Sequence, residues 1–339
     1  MLSRSMSLGF LLLVGVLAMG CGPTTFVVGL SPGDMTLKKT VVEEAQGRTR
    51  NEVAMVDVTG MIMNARQDGL LSQGENPVST FSEKLDKAAE DNDVKAVILR
   101  INSPGGGVTA SEIMYRELVD FRAQTGKPVV VLMMDVAASG GYFLACAGDA
   151  IVAYPSTVTG SIGVIIQTVN FHKALTSIGI EPEAITSGPN KAVGSPLEPM
   201  SDGQRAILQG LVDEFYAGFV QVVRESRPGL TDEAAERATD GRVVSGAQAY
   251  ELGLVDQLGG LDHAFEMAKS LASIDDADLV LYHRPLEYVA SPYASSPVPG
   301  LGGGGHINAG TQVNLLQLNM DGSMGGLNIP PGFYYLWRP

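Results

Sequence analysis

The sequence predicts an α/β domain with a mainly parallel sheet, and three observations carry that reading. Apolar runs of strand length alternate with helical segments of about three turns. Two of the runs, Val94–Ile101 and Pro128–Met134, are nearly uninterrupted, as strands covered on both faces are. Both lead into turns of small residues, Asn102-Ser-Pro-Gly-Gly-Gly107 and Ala137-Ala-Ser139-Gly-Gly-Tyr142, and in such folds the turns at the carboxyl ends of the strands gather the active site.

The other elements follow the same alternation. Val53–Met63 is strand-like, and 80–91 carries Phe81 and Leu85 at helical spacing. After the first glycine turn, 108–122 is a helix with Ala110, Ile113, Met114, Leu118 and Phe121 on one face. A strand at 150–154 and the segment Thr157–Val164 follow the second turn. Asp202–Arg227 is a long amphipathic helix whose stripe is Leu208, Leu211, Val212, Phe215, Phe219 and Val222. Thr231 caps a further helix, Gly253 ends the one from Ser245, another spans 262–272, and Leu279–Tyr282 is a last strand that closes the sheet.

With 339 residues and 45% hydrophobic content the chain has ample material for a core. Its ends read differently. Arg4 precedes an apolar run, Leu8–Met19, too short to span a bilayer and suited to a secretory signal. The run closes on Ala18-Met-Gly-Cys21, which resembles a bacterial lipobox; Cys21 would then be acylated and become the first mature residue. A plain cleaved signal or an uncleaved anchor is the alternative. Gly22, standing where an inner-membrane retention aspartate is common, leaves inner and outer membrane both open. The organisation is therefore a signal at 1–20, a tether at 21–50, a folded domain at 51–285 and a glycine- and proline-rich tail at 286–339. That tail ends in Gly332-Phe-Tyr-Tyr-Leu-Trp-Arg-Pro339, with the only tryptophan. These side chains need an apolar home on their own domain, on a neighbouring subunit or in the active site.

A net charge of −14 argues against nucleic acid and against attachment to anionic lipid through a basic face. Of the two cysteines, Cys146 has no disulfide partner if Cys21 carries lipid, and its apolar helix makes it a buried, inert thiol.

Ser139 has two readings: a helix N-cap beside glycines that permit close packing, or a nucleophile next to free backbone N–H groups. Gly105-Gly106-Gly107 likewise is either a tight turn or an oxyanion site. It lacks the G-x-G-x-x-G and Walker patterns, and no G-x-S-x-G, S-x-x-K or H-E-x-x-H occurs. Among four histidines, His172 is the one placed to serve as a base; His263 suits a helix start, and His283 and His306 lie at or in the linker. A lysine can replace histidine when burial makes its neutral form available. Lys191 stands in Thr186-Ser-Gly-Pro-Asn-Lys191-Ala-Val-Gly-Ser-Pro196, a loop of small residues and little charge.

Asn102-Ser-Pro-Gly-Gly-Gly, Ala137-Ala-Ser139-Gly-Gly-Tyr, Thr159-Gly-Ser161-Ile-Gly-Val and Ser187-Gly-Pro-Asn-Lys191, in this order, resemble the short signal peptide peptidases of serine protease family S49 over residues 51–284. The resemblance implies a ClpP/crotonase-like fold and a Ser-Lys dyad. Ser139 matches the nucleophile, Lys191 the general base and Ser161 the serine that holds the lysine amine. Backbone N–H groups among Gly105, Gly106 and Gly140 would form the oxyanion hole. It further implies hydrolysis of signal-peptide remnants or other extended peptides at the periplasmic side of the envelope, no cofactor or metal, and a dome-shaped homo-oligomer, an octamer in the family. Members usually carry a transmembrane anchor where this chain has its lipobox-like cysteine, and the aromatic tail has no counterpart in the pattern. The rival readings are a crotonase-like acyl-thioester enzyme, which needs an acid/base carboxylate, and an inactive lipid-anchored scaffold.

Overall fold

The computed structural model describes residues 36–66, 74–285, 287, 289–293 and 332–337. Cys21, the leader and His306 lie outside the described residues. From Leu37 onward the chain is one unit. Its first half runs β1 (Lys38–Glu43), β2 (Glu52–Thr59), α1 (Pro77–Glu90), β3 (Val94–Ser103), β4 (Gly105–Gly107), α2 (Val108–Thr125), β5 (Val129–Ala138), α3 (Gly140–Ala145), β6 (Ala150–Ala153), β7 (Val158–Gly160) and β8 (Ile165–Ile166). The second half adds α4 (His172–Ser177), α5 (Asp202–Ser226), α6 (Asp232–Ala238), β9 (Val243–Ser245), α7 (Gly246–Glu251), β10 (Gln257–Leu258), α8 (Leu261–Leu271), β11 (Asp278–His283) and β12 (Phe333–Leu336).

The main sheet has the order β1-β11-β2-β3-β5-β6-β10, with β7 beside the far end of β5 and β9 beside β7. Pairings from β11 through β10 are parallel, as is β5 with β7; β1 with β11 and β7 with β9 are antiparallel. The uninterrupted apolar runs have the expected cause. Val97, Leu99 and Ile101 of β3 and Val129, Val131 and Met133 of β5 pack under α1, α2 and α3. Their neighbours in sequence, Ala96, Ile98, Val130 and Leu132, point the other way onto Leu261, Ala264, Phe265 and Ala268 of α8. Each fully buried branched side chain contributes about 1.5–3 kcal/mol. Helices on both faces thus hold β3 and β5 rigid at the centre of the sheet.

Local signals set the helix ends. Asn76 caps α1 by accepting from Val78 and Ser79, with Pro77 in the first turn, and Gly126 ends α2 in the left-handed region. Lys127 then reaches back to cap the C-terminus of α1, its Nζ donating to the carbonyls of Ala88, Ala89 and Asp91 at 2.6, 3.1 and 2.8 Å. Burial holds its pKa below that of a free lysine. Lys127→Ala strands these acceptors and is expected to lower stability by about 1–3 kcal/mol, read as a lower urea midpoint at unchanged slope.

Three parts differ from the sequence reading. Folded structure begins before residue 51, because β1 lies inside the predicted tether; its Lys-Lys-Thr-Val-Val-Glu is largely exposed on one sheet edge and so shows no buried run. As a result β11 is the second strand from that edge, not the last. The N-terminal half of α5 is half exposed: in its predicted stripe only Phe219 is fully buried, joined by Val223. Finally, the end of the glycine-rich tail is a strand, β12, in a second sheet of order β4-β12-β8.

Candidate active site

β3 and β5 are adjacent and parallel, so their exits lie side by side, with Ser103 opposite Ala137. From β3 the chain passes Pro104 into β4, and from β5 it passes Ser139 into α3. Gly105 takes a positive φ of 98°, and a Cβ on it would sit 2.6 Å from the Gly140 nitrogen. A Cβ on Gly140 would meet Ser111 Oγ at 2.5 Å and the Gly106 nitrogen at 3.1 Å. The two glycine turns are therefore in direct backbone contact, which no side chain would permit.

Ser139 stands at the N-cap position of α3, but its side chain does not cap the helix. The cap residue Asn76 is extended and bonded to the N–H groups it faces, whereas Ser139 has φ 54° and ψ −115° and makes no capping bond. Its backbone is fixed from both sides, N–H to Gly160 O at 2.8 Å and carbonyl to Phe143 N at 2.8 Å. Its Oγ is buried without a hydrogen-bond partner. A strained backbone costs of order 1–3 kcal/mol and a buried unpaired hydroxyl a similar amount, so two unfavourable features coincide on one serine. Ser161 stands beside it: β7 pairs with β5 so that Gly160 faces Ala138, and both strands release a serine at positive φ, Ser161 at 50°. Ser161 N–H is held by Arg242 O at 2.7 Å.

The structure thus brings Ser139, Ser161, Gly105, Gly106 and Gly140 together. It refines the role of one. Gly105 N–H donates to Ser103 Oγ at 3.1 Å, so of the three predicted donors this one is already spent within its own turn. The N–H of Gly140 opens α3 and has no partner within that helix. Lys191 is not brought in: it is exposed, its N–H is tied locally to Gly188 O at 3.1 Å, and Ser139 Oγ has no partner of any kind. The physical reason is the arm that carries it. Residues 163–201 bury little against the rest of the chain, leaving Ile178, Ile180, Leu197 and, at 99% exposure, Ile185 in the open.

His172 lies on the same arm with Nδ1 at 3.1 Å from Leu197 O, and His283 pairs with Thr40 Oγ1 at 2.9 Å. His263 accepts from Gly260 N at 3.4 Å at the start of α8, the capping role its position suggested. No described histidine reaches Ser139. Cys146 is buried, and burial pushes its thiol up to about 11, which keeps it protonated and inert. Among the described residues no group of three or more His, Cys, Asp or Glu is placed to hold a metal ion. The sequence reading left the aromatic tail's home open among its own domain, a neighbouring subunit and the active site; the structure seats its end, β12, on the glycine turn, with Tyr335 paired to Gly106 and Leu336 to Gly105.

The model of peptidase family S49 matches residues 122–275, spanning Ser139, Ser161 and Lys191, and that of Clp protease matches residues 50–172. The "Putative signal peptide peptidase SppA" of Enterococcus faecium is 31% identical over 266 residues, 78% of this chain and 76% of the relative. The chain belongs to peptidase family S49. It is also 36% identical over 226 residues to "Protease 4" of Haemophilus influenzae and 37% over 219 residues to "Serine protease SPPA, chloroplastic" of Arabidopsis thaliana. Those matches cover 66% and 62% of this chain but 35% and 32% of the relatives, so the chain spans about a third of their length. As an S49 member it is a peptidase, and its α/β architecture with a mostly parallel sheet is the Clp protease-like fold.

Proposed function

We propose that this S49 chain is a serine endopeptidase that cleaves extended peptides by a Ser139–Lys191 dyad. The observation that carries the reading is the Ser139 hydroxyl, buried, unpartnered and held at a strained strand-to-helix turn against two glycine backbones. A hydroxyl in that state is costly unless a reacting partner completes it.

In the proposed cycle Ser139 Oγ attacks the scissile carbonyl carbon while its proton passes to the neutral Lys191 amine. The oxygen that becomes negative is stabilised by the N–H groups of Gly140 and Gly106, aimed by the close glycine packing. Collapse expels the amine fragment, which takes the proton from Lys191, and leaves an ester on Ser139. Water, deprotonated by Lys191, then releases the second fragment. Ser161, one paired position across from Ser139, is the residue that holds the lysine amine.

Lys191 must travel for this, and the exposed isoleucines of its arm supply the drive. Packing that apolar surface against the body of the enzyme or against a second copy removes it from water and fixes Lys191 at the same time. The reading therefore includes a homo-oligomer. It also includes an envelope location with the lipid anchor at Cys21, supported by the apolar leader and the lipobox-like residues. Signal-peptide remnants or other extended peptides at the envelope are the substrate class of this reading.

The test is covalent labelling of the full-length protein with a fluorophosphonate, followed by peptide mapping. A stoichiometric adduct on Ser139, with parallel loss of unfolded-protein cleavage, is the expected result. Cleavage that persists in the absence of any Ser139 adduct would overturn the assignment.

A further inference from the structure

The strand that delivers Ser139 does not reach it by the ladder that holds the rest of β5. From Val130 to Met133, β5 is paired on both sides, Met133 itself with Ile101 of β3 and Ala153 of β6. β6 ends there. On the other side the next pair is Ser103 with Ala137, so Met134, Asp135 and Val136 bulge opposite the single residue Asn102. Asn102 Oδ1 closes part of the gap by accepting from Val136 N–H at 3.2 Å. A bulge beside an active site re-aims the chain that follows it, and it also uncouples that chain from the rigid pairing behind.

What holds the re-aimed end is β7, three residues long. Val158, Thr159 and Gly160 pair with Val136, Ala137 and Ala138. Thr157 and Thr159 are both fully buried, and both spend their hydroxyls on β5. Thr157 Oγ1 donates at the start of the bulge, to Met134 O at 2.7 Å and Met133 O at 3.2 Å. Thr159 Oγ1 donates at its end, to Ala137 O at 2.6 Å. Valine would fill the same volume and pair as well in a strand, so the polar group at this depth is there for its bond.

The run Thr159-Gly160-Ser161 therefore grips the nucleophile and launches the second serine at once. Thr159 holds the carbonyl two residues before Ser139, Gly160 O accepts the Ser139 N–H at 2.8 Å, and Ser161 follows at φ 50°. β7 is itself fixed from behind. Thr159 and Gly160 pair with Val244 and Val243 of β9, and Ser161 N–H donates to Arg242 O at 2.7 Å.

We infer that Thr159 is a positioning residue for the reaction: its hydroxyl sets the register between the end of β5 that aims Ser139 and the end of β7 that carries Ser161. This rests on the Ser139 reading above and gives a role to a residue that acts through Ser139. Without the hydroxyl, the Ala137 carbonyl loses its side-chain donor and the short link to a strained serine can shift. A misplacement of about 1 Å at the reacting atom costs roughly 100-fold in rate. Thr157 is the internal comparison, because it makes the same kind of bond to the same strand, but where Met133 is still fixed by a strand on either side.

Thr159→Val keeps the shape and removes the donor. In the full-length chain, kcat on an unfolded protein should fall about 10- to 100-fold with KM little changed. The second-order rate of Ser139 labelling by a fluorophosphonate should fall in parallel. Thr157→Val should lower the urea midpoint by a similar amount, since it loses the same class of bond, while keeping kcat within about threefold of wild type. Thr159→Ser, which keeps the hydroxyl and loses a methyl, should recover most of kcat. Should Thr159→Val not fold, serine against cysteine makes the same comparison: both are smaller than threonine, and the thiol is the weaker donor. Equal losses of kcat in Thr159→Val and Thr157→Val, equal kcat in the serine and cysteine variants, or wild-type rates of labelling and cleavage in Thr159→Val would overturn the inference and leave the Ser139 mechanism standing. Cleavage by the wild-type chain without any Ser139 adduct would refute the mechanism and the cross-tie together.

Discussion

Ser139→Ala and Lys191→Ala, each in the full-length chain, are expected to lower kcat/KM on an unfolded protein by at least about 1000-fold. Under the proposed dyad the two groups act in one proton transfer, so the double variant should lose no more than the worse single one. Neither change should unfold the protein. Ser139→Ala removes an oxygen that has no partner and should leave the midpoint of denaturant unfolding unchanged or slightly raised. Lys191 is exposed on an arm that packs little against its own chain, so its removal is also near neutral for stability. A loss of activity that tracks a loss of folded protein would point to damage, and activity kept within tenfold in either variant would sink the dyad. Ser161→Ala should fall between, because the lysine then loses its guide but keeps its chemistry.

How far these residues were legible depends on what kind of physics places them. The central strands were plain, because burial on both faces of β3 and β5 demands apolar residues at every position. The glycine turns were plain as turns; Ser139 taken alone read first as a cap, the four motifs in order made it a candidate nucleophile, and its positive φ and unbonded hydroxyl came only from the structure. That the Gly105 N–H is already spent was invisible, since it depends on Ser103 Oγ bending back to it. β1 was missed because a mostly exposed edge strand needs no apolar run. The stripe on α5 is present in the sequence but only half-buried in one chain: a hydrophobic pattern says that a surface wants cover, not what covers it. The same holds for Lys191, whose loop stands out by composition while nothing in that composition shows that the arm carrying it buries little against the rest of the chain. The aromatic tail announced its need for a pocket, and its register on Gly105–Gly107 came only from the structure.

Gly105→Ala is the second change with a large expected effect, and it separates the oxyanion reading from a plain tight turn. The backbone at Gly105, φ 98°, is one that alanine adopts only under strain, at a cost of roughly 1–3 kcal/mol. The added methyl would also lie 2.6 Å from the Gly140 nitrogen and 2.2 Å from the oxygen now lodged there, both backbone atoms that cannot rotate away. It would shield the Gly140 N–H and fill the space the developing oxyanion needs. Loss of one such donor lowers kcat by about 100- to 1000-fold. The tail, whose Tyr335 carbonyl sits on the same spot, should be expelled together with the activity, visible as a red shift of Trp337. Gly218→Ala is the comparison: it lies in α5 with nothing within 4 Å of the added methyl, and should keep full activity while gaining up to about 1 kcal/mol of helix stability. If Gly105→Ala folds, docks its tail and still cleaves at the wild-type rate, the glycine turn after β3 is a packing device only. The oxyanion would then have to be stabilised from the α3 side of the site alone.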